Sequence, residues 1–159
     1  MKRYLLLLLV ILLNAPVYGQ GEKPNIITEL FTLLNMQNSG KASVYLTVNK
    51  QCLLVNKSAQ SGGFYYIYKL RHRPESYGLM VTDNSGMEMS STSYTTYSKP
   101  EYLKMIDLAK QMGFEPYKNT GEYPNLLMFA KNESLLMLTT NNNGHITGYT
   151  IAASKMAIY

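Results

Sequence analysis

The chain has 159 residues, 15 Lys and Arg against 10 Asp and Glu, two His and a single Cys. One cysteine excludes an intramolecular disulfide framework and a thiolate zinc cluster. Two histidines and ten acids are a thin inventory for catalysis, and a net charge of +5 is modest for a polyanion binder.

Residues 1–19 read as a cleaved signal peptide. Lys2 and Arg3 precede the apolar run Leu5–Leu13, and Val17 and Gly19 suit the small pockets of a signal peptidase. Nine apolar residues fall short of the roughly twenty that a spanning helix needs. Cleavage after Gly19 leaves Gln20 as the N-terminus and a mature chain, 20–159, with 13 basic residues against 10 acids, a net +3. A secreted or periplasmic location follows, with no membrane span in the mature chain. Its length suffices for a single α+β domain with one core.

Asn25 caps a helix over IITELFTLLNM, whose Ile26, Ile27, Leu30, Phe31, Leu33 and Leu34 form a broad apolar face, and Asn38 to Gly40 stops it. SVYLTV (43–48) reads as a strand, and a tight turn at Asn49 and Lys50 leads into QCLLV, with Cys52 buried as a small apolar group. SAQSGG is a loop, and GFYYIYKLRHR (63–73) a long aromatic strand ended by Pro74. SYGLMVTD is a fourth strand. The hydroxyl-rich MEMSSTSYTTY (87–97) is an edge strand or an ordered loop, because few of its positions ask for burial.

A second helix starts at Ser98, with Pro100 in its first turn and Glu101 closing a capping box, and ends at Gly113 with Phe114 folding back. EPYKNTGEYPN is a polar connector. LLMFAK and SLLML flank a turn at Asn132. Asn143 and Gly144 form a tight hairpin with positive φ at both positions, HITGYTIAA returns, and SKMAIY has no assignment.

QCLLVNKSAQSGGFYYI and ESLLMLTTNNNGHITGY align without a gap at an offset of 82 residues, matching Leu53, Leu54 and Gly62 to Leu135, Leu136 and Gly144. A weak internal repeat, 25–73 and 98–153, results. The expected architecture is α+β: two helices packed on a mainly antiparallel sheet, in pseudo-repeated α-β-β-β halves.

Chemistry is sparsely signalled. No GxSxG elbow, SxxK spacing, phosphate loop or paired-carboxylate pattern occurs, so no catalytic residue, metal or cofactor is assigned. Met87 and Met89 are too few for a copper site and read as packing. Tyrosine is the one unusual enrichment. Tyr65, Tyr66 and Tyr68 occupy both faces of one strand, and Tyr94 and Tyr97 project from the hydroxyl-rich segment. In an extended strand Lys69, Arg71 and Arg73 share the face of Tyr65 and Ile67. These five residues, Tyr65, Ile67, Lys69, Arg71 and Arg73, form the expected docking face for a protein or a small anionic or sugar-like ligand; an exported protein has little occasion to meet nucleic acid. The leading expectation is a non-catalytic exported binding protein, an inhibitor or assembly factor. The alternatives are a small hydrolase with His72 or His145 as general base, and a structural component anchored in a membrane by an uncleaved N-terminus. Asn56 and Asn132 head glycan-acceptor triplets that matter only in a eukaryotic secretory route.

Overall fold

The structure is a computed structural model that describes residues 25–60, 62–82, 88–117 and 125–156. The leader and its cleavage point lie outside the described residues. Helix α1 (Ile26–Asn35) is capped by Asn25, whose side chain accepts from the Thr28 amide at 2.9 Å. Its Ile27, Leu30, Leu33 and Leu34 are buried, the amphipathic face that the spacing predicts.

The next segment differs from its sequence reading. Asn38 does not simply stop α1; it caps a second helix, α2 (Ser39–Val44), by accepting from the Lys41 amide at 3.1 Å. This helix runs directly into a π-helical turn, Tyr45–Asn49. SVYLTV is therefore helical, not a strand. Its alternating Val44, Leu46 and Val48 suggest one buried strand face, yet only Leu46 goes inside, one helical turn from buried Ala42, while both valines stay exposed. The period that places Ala42 and Leu46 together is 3.6, not 2.

Among the described residues eight strands form one antiparallel sheet: β1 (Cys52–Gln60), β2 (Gly63–Leu70), β3 (Ser76–Thr82), β4 (Glu88–Thr96), β5 (Glu115–Pro116), β6 (Leu126–Lys131), β7 (Ser134–Asn142) and β8 (Thr147–Lys155), in the order β1-β2-β3-β4-β8-β7-β6-β5. A third helix, α3 (Lys99–Gln111), separates β4 from β5. The fold is thus mixed α+β with a dominant antiparallel sheet. Several boundaries move. β1 continues through SAQ to Gln60, with a bulge at Val55. β2 stops at Leu70, because Leu70 donates to Glu75 O and accepts from Arg73 N in a turn where His72 takes φ +58°. In the β7–β8 link only Gly144 has positive φ; Asn142 and Asn143 side chains accept from the Gly144 and Ile146 amides and make a longer turn than the two-residue hairpin expected.

The hydroxyl-rich segment is the largest correction. β4 is neither edge nor loop; it is a central strand between β3 and β8. Burial of its hydroxyls is tolerated because each finds a partner. Thr92 Oγ1 donates to Leu30 O at 2.9 Å, Thr96 Oγ1 to Glu101 Oε2 at 2.5 Å and Tyr94 Oη to Glu101 Oε1 at 3.1 Å, while Thr95 Oγ1 bonds Thr150 Oγ1 at 2.9 Å. The same contacts alter the expected capping box. Ser98 accepts from the Glu101 amide, but the Glu101 carboxylate turns to β4, and the Ser98 amide donates to Thr96 Oγ1 instead. Gly113 has φ +80°, and Phe114 stacks on Phe31 at 5.8 Å, closing α3 onto α1.

Cross-strand register sorts the two faces. One carries the row Tyr68, Tyr77, Tyr94, Ile151, Leu138 and the row Tyr66, Leu79, Thr92, Ala153, Leu136, Phe129. Most of these residues join α1 and α3 in the core. The other face carries Ile67, Gly78, Ser93, Ala152, Met137 and, one step along, Lys69, Ser76, Thr95, Thr150, Thr139. Helices α1 and α2 precede β1–β4, α3 precedes β5–β8, and β4 meets β8 at the centre. The 82-residue offset does not describe that arrangement. It lays β1 on β7 and β2 on β8, the outermost hairpin of the first four strands on the innermost of the second. Hairpin physics, apolar strands around a glycine-bearing turn, accounts for such a match.

Candidate functional site

The open face of the sheet forms a hollow of about 1080 Å³ where β2, β4, β7 and β8 come together. Tyr65 and Lys69 enter it from β2, Thr95 from β4, Tyr97 from the residue after β4, and Thr150 from β8. Its far wall is the run Thr139 to Asn143 with Ile146 and Gly148. Among its described lining residues Lys69 is the single charged side chain. The rest offer hydroxyls, amides, two phenols and a little apolar surface. Tyr97 and Ile146 are half exposed, so ring and aliphatic surface stay open to a ligand.

Tyr65 is held rather than free. Its hydroxyl lies 3.0 Å from Ser93 Oγ. The ring crosses Gly78, where a Cβ would sit 2.1 Å from Tyr65 Oη and 2.4 Å from Ser93 Oγ. Gly78 thus lets an aromatic side chain from the neighbouring strand lie flat on the sheet. A lone glycine inside SYGLMVTD is the sequence trace of that close approach.

Of the five residues expected to form the docking face, Tyr65 and Lys69 line the hollow, and Ile67 lies between them on the same strand face, outside that lining. Arg71 and Arg73 do not continue a strand stripe, since β2 has ended. Both are exposed in the β2–β3 turn. They nevertheless rejoin Lys69 around a second, smaller hollow of about 640 Å³ with Leu53, Val55, Leu70, His72 and Pro74. The two hollows meet at Lys69 and Pro74. The stretch from Thr139 to Asn143 was not singled out by sequence reasoning, although five polar residues on a strand and its exit are an available signal. Tyr94, expected to project, is buried in the core against Tyr77, with ring centroids 5.2 Å apart.

Both imidazoles lie in exposed turns. His72 is exposed in the β2–β3 turn and His145 in the β7–β8 turn, and among the described residues neither has a hydrogen-bond partner. Among those residues no group of three His, Cys, Asp or Glu gathers as a metal site.

The perturbed groups lie on the helix side, in the core. Glu29, buried on α1, accepts an ion pair from Lys50 Nζ at 2.6 Å and a long bond from Tyr45 Oη at 3.5 Å. Tyr77 donates to it as well, and burial followed by the Glu29 charge pushes the Tyr77 phenol far above its ordinary range. Tyr94 is raised in the same way by burial and then by Glu101. The Cys52 thiol is pushed up to about 11 by burial first and Glu29 second, with Lys50 opposing. A thiol raised in this way stays protonated at neutral pH and is a poor nucleophile.

No family model, curated protein or solved structure matches the chain. Function therefore rests on the geometry of the open face. Among the described residues no helix is long and apolar enough to cross a membrane.

Proposed function

We propose that the protein is an exported, non-catalytic binding protein whose open-face hollow holds a neutral, polyhydroxylated ligand of the saccharide kind. The observation that carries this reading is the lining: threonine hydroxyls, asparagine amides and two tyrosines around one lysine, without an acid among the described lining residues. A sugar presents alternating hydroxyl and C–H surface. Hydroxyls pair with amides that donate and accept at once, and C–H faces stack on phenol rings that keep a polar edge. An anionic ligand would find one cation in this hollow, so the neutral class fits better.

The test is isothermal titration with neutral oligosaccharides of glucose, mannose and N-acetylglucosamine, beside sialylated and sulfated ones. At least one neutral series should bind, and Tyr97→Ala or Asn141→Ala should weaken it about tenfold or more with unchanged melting, as for loss of a stacking or bidentate polar contact. Absence of heat from every neutral sugar, or a preference for the anionic ones, refutes the reading. Export is read separately, by an intact mass for the secreted chain that begins at Gln20; retention of Met1–Gly19 would favour the anchored alternative. The hydrolase alternative gains no support from two solvent-facing imidazoles.

A further inference from the structure

β1 lies at one edge of the sheet and pairs only with β2, so one row of its N–H and C=O groups has no strand beside it among the described residues. Such an edge is a template for another strand unless it is short, charged or turned away. β1 spans nine residues, and Leu53, Leu54 and Val55 are each about half exposed, at 49%, 50% and 55%. Lys57, the residue type that usually guards an edge, instead lies over its own sheet, with Nζ 4.6 Å from the Phe64 ring centroid and 5.3 Å from that of Tyr66. The bulge at Val55 limits regular pairing to a short stretch.

Each flank of this edge carries a depression. Beside Lys69, Leu53, Val55 and Leu70 line the hollow that Arg71 and Arg73 border, and among the described residues no acid lines it. On the helix side, a slot of about 230 Å³ lies between Ser39, Gly40 and Ser43 of α2 and Leu54, Tyr66 and Tyr68. Successive side chains of a strand point to opposite faces. An added strand therefore places one side chain over the cationic shelf and the next in the small slot, the arrangement by which strand addition gains specificity. We propose that β1 accepts an extended segment of another protein as a ninth strand, with apolar and acidic residues over Leu53, Val55, Arg71 and Arg73 and a small hydroxylated residue in the α2 slot. A second copy of this chain is disfavoured as occupant, because its β1, CLLVNKSAQ, offers no acid to set against Arg71 and Arg73. A lipid would leave the row of backbone groups unused.

The proposal goes beyond the saccharide reading and does not rest on it, although the two surfaces share Lys69 and Pro74. Two fluorescent synthetic peptides of alternating valine and serine test it, one ending in paired aspartates and the other in paired lysines. Polarisation measures their affinity for the whole protein, and hydrogen exchange reads the β1 amides. The aspartate peptide should bind about tenfold or more tightly than the lysine peptide, weaken with added salt, and slow exchange along β1. Arg71→Glu with Arg73→Glu should reverse the preference. The salt dependence and the exchange pattern of the unaltered protein keep the test decisive if that double variant folds poorly. Equal affinity for the two peptides, unchanged β1 exchange at millimolar aspartate peptide, or β1 protection that appears with protein concentration alone each overturns the proposal. A failed sugar titration leaves it standing, because neither peptide reports on Tyr97 or the asparagine wall.

Discussion

Gly78→Ala should destabilise the protein through a residue on the neighbouring strand, and the effect should vanish when Tyr65 is shortened. The added Cβ would lie 2.1 Å from Tyr65 Oη and 2.4 Å from Ser93 Oγ, so the ring must leave the sheet. Its departure breaks the 3.0 Å bond between Tyr65 and Ser93, worth about 1 kcal/mol, and uncovers half-buried ring surface worth about another 1 kcal/mol. Relief of the glycine's backbone entropy returns about 0.5–1 kcal/mol. The net is a loss of about 1–1.5 kcal/mol, or roughly 3–5 °C in melting temperature for a chain of this size. In a Tyr65→Ala background only the Ser93 hydroxyl remains in the way. It can rotate aside, so Gly78→Ala should there be neutral or stabilising by about 0.5 kcal/mol. Urea unfolding of the four proteins in this cycle should give a coupling of about 1–2 kcal/mol. Equal destabilisation in both backgrounds would refute the reasoning, since the tyrosine would not then be the obstacle.

The buried ion pair should be asymmetric. Lys50→Met leaves the Glu29 carboxylate uncompensated and should cost about 3 kcal/mol, whereas Glu29→Gln frees a partly exposed Lys50 to turn to water and should cost about 1 kcal/mol; equal costs in urea would contradict the burial of Glu29. Cys52 ties stability to alkaline pH. The unfolded thiol ionises near its ordinary 9.0 and the folded one near 11, so the unfolded chain sheds its proton first and stability falls as pH rises from about 9 to about 11. Tyr77 and Tyr94, both raised, add their share above the ordinary phenol range, so Cys52→Ala should flatten melting temperature between about pH 9 and 10 and leave the steeper decline above it. An unchanged slope would remove Cys52 from that account. Thr96→Val strips a buried donor from the Glu101 carboxylate and an acceptor from the Ser98 amide, and should cost about 2–3 kcal/mol, against about 1 kcal/mol for Thr92→Val. Thermal melts rank the two.

Legibility in the sequence followed the locality of the physics. α1 and α3 were readable because caps and apolar periodicity are local, down to the side chains of Asn25 and Ser98. α2 was misread because Val44 and Val48 carry strand propensity on the outside of a helix, and Asn38 serves equally as stop and start. β4 was misplaced because its polarity is satisfied by partners up to 62 residues away, such as Leu30 O for Thr92, which no window of residues displays. That Tyr65 and Lys69 share one face of β2 was legible, since alternation fixes which side of a strand a residue takes. Arg71 and Arg73 were assigned to the same stripe by extending that alternation past Leu70, where the chain turns. The place of the asparagine-rich wall in the hollow is not legible, because it depends on β8 bringing the β7 end beside β4.

The pairing of β4 with β8 also orders assembly in time. Paired strands within each set of four are consecutive in sequence, but Tyr94 meets Ile151 only after α3 and three further strands have been laid down. Closing so long a loop is slow compared with forming a hairpin, so the chain should collapse first as two separate meanders whose exposed inner borders later zip together. Substitutions at Thr92 should then alter the folding rate less than those at Leu79, a contrast that stopped-flow refolding can measure.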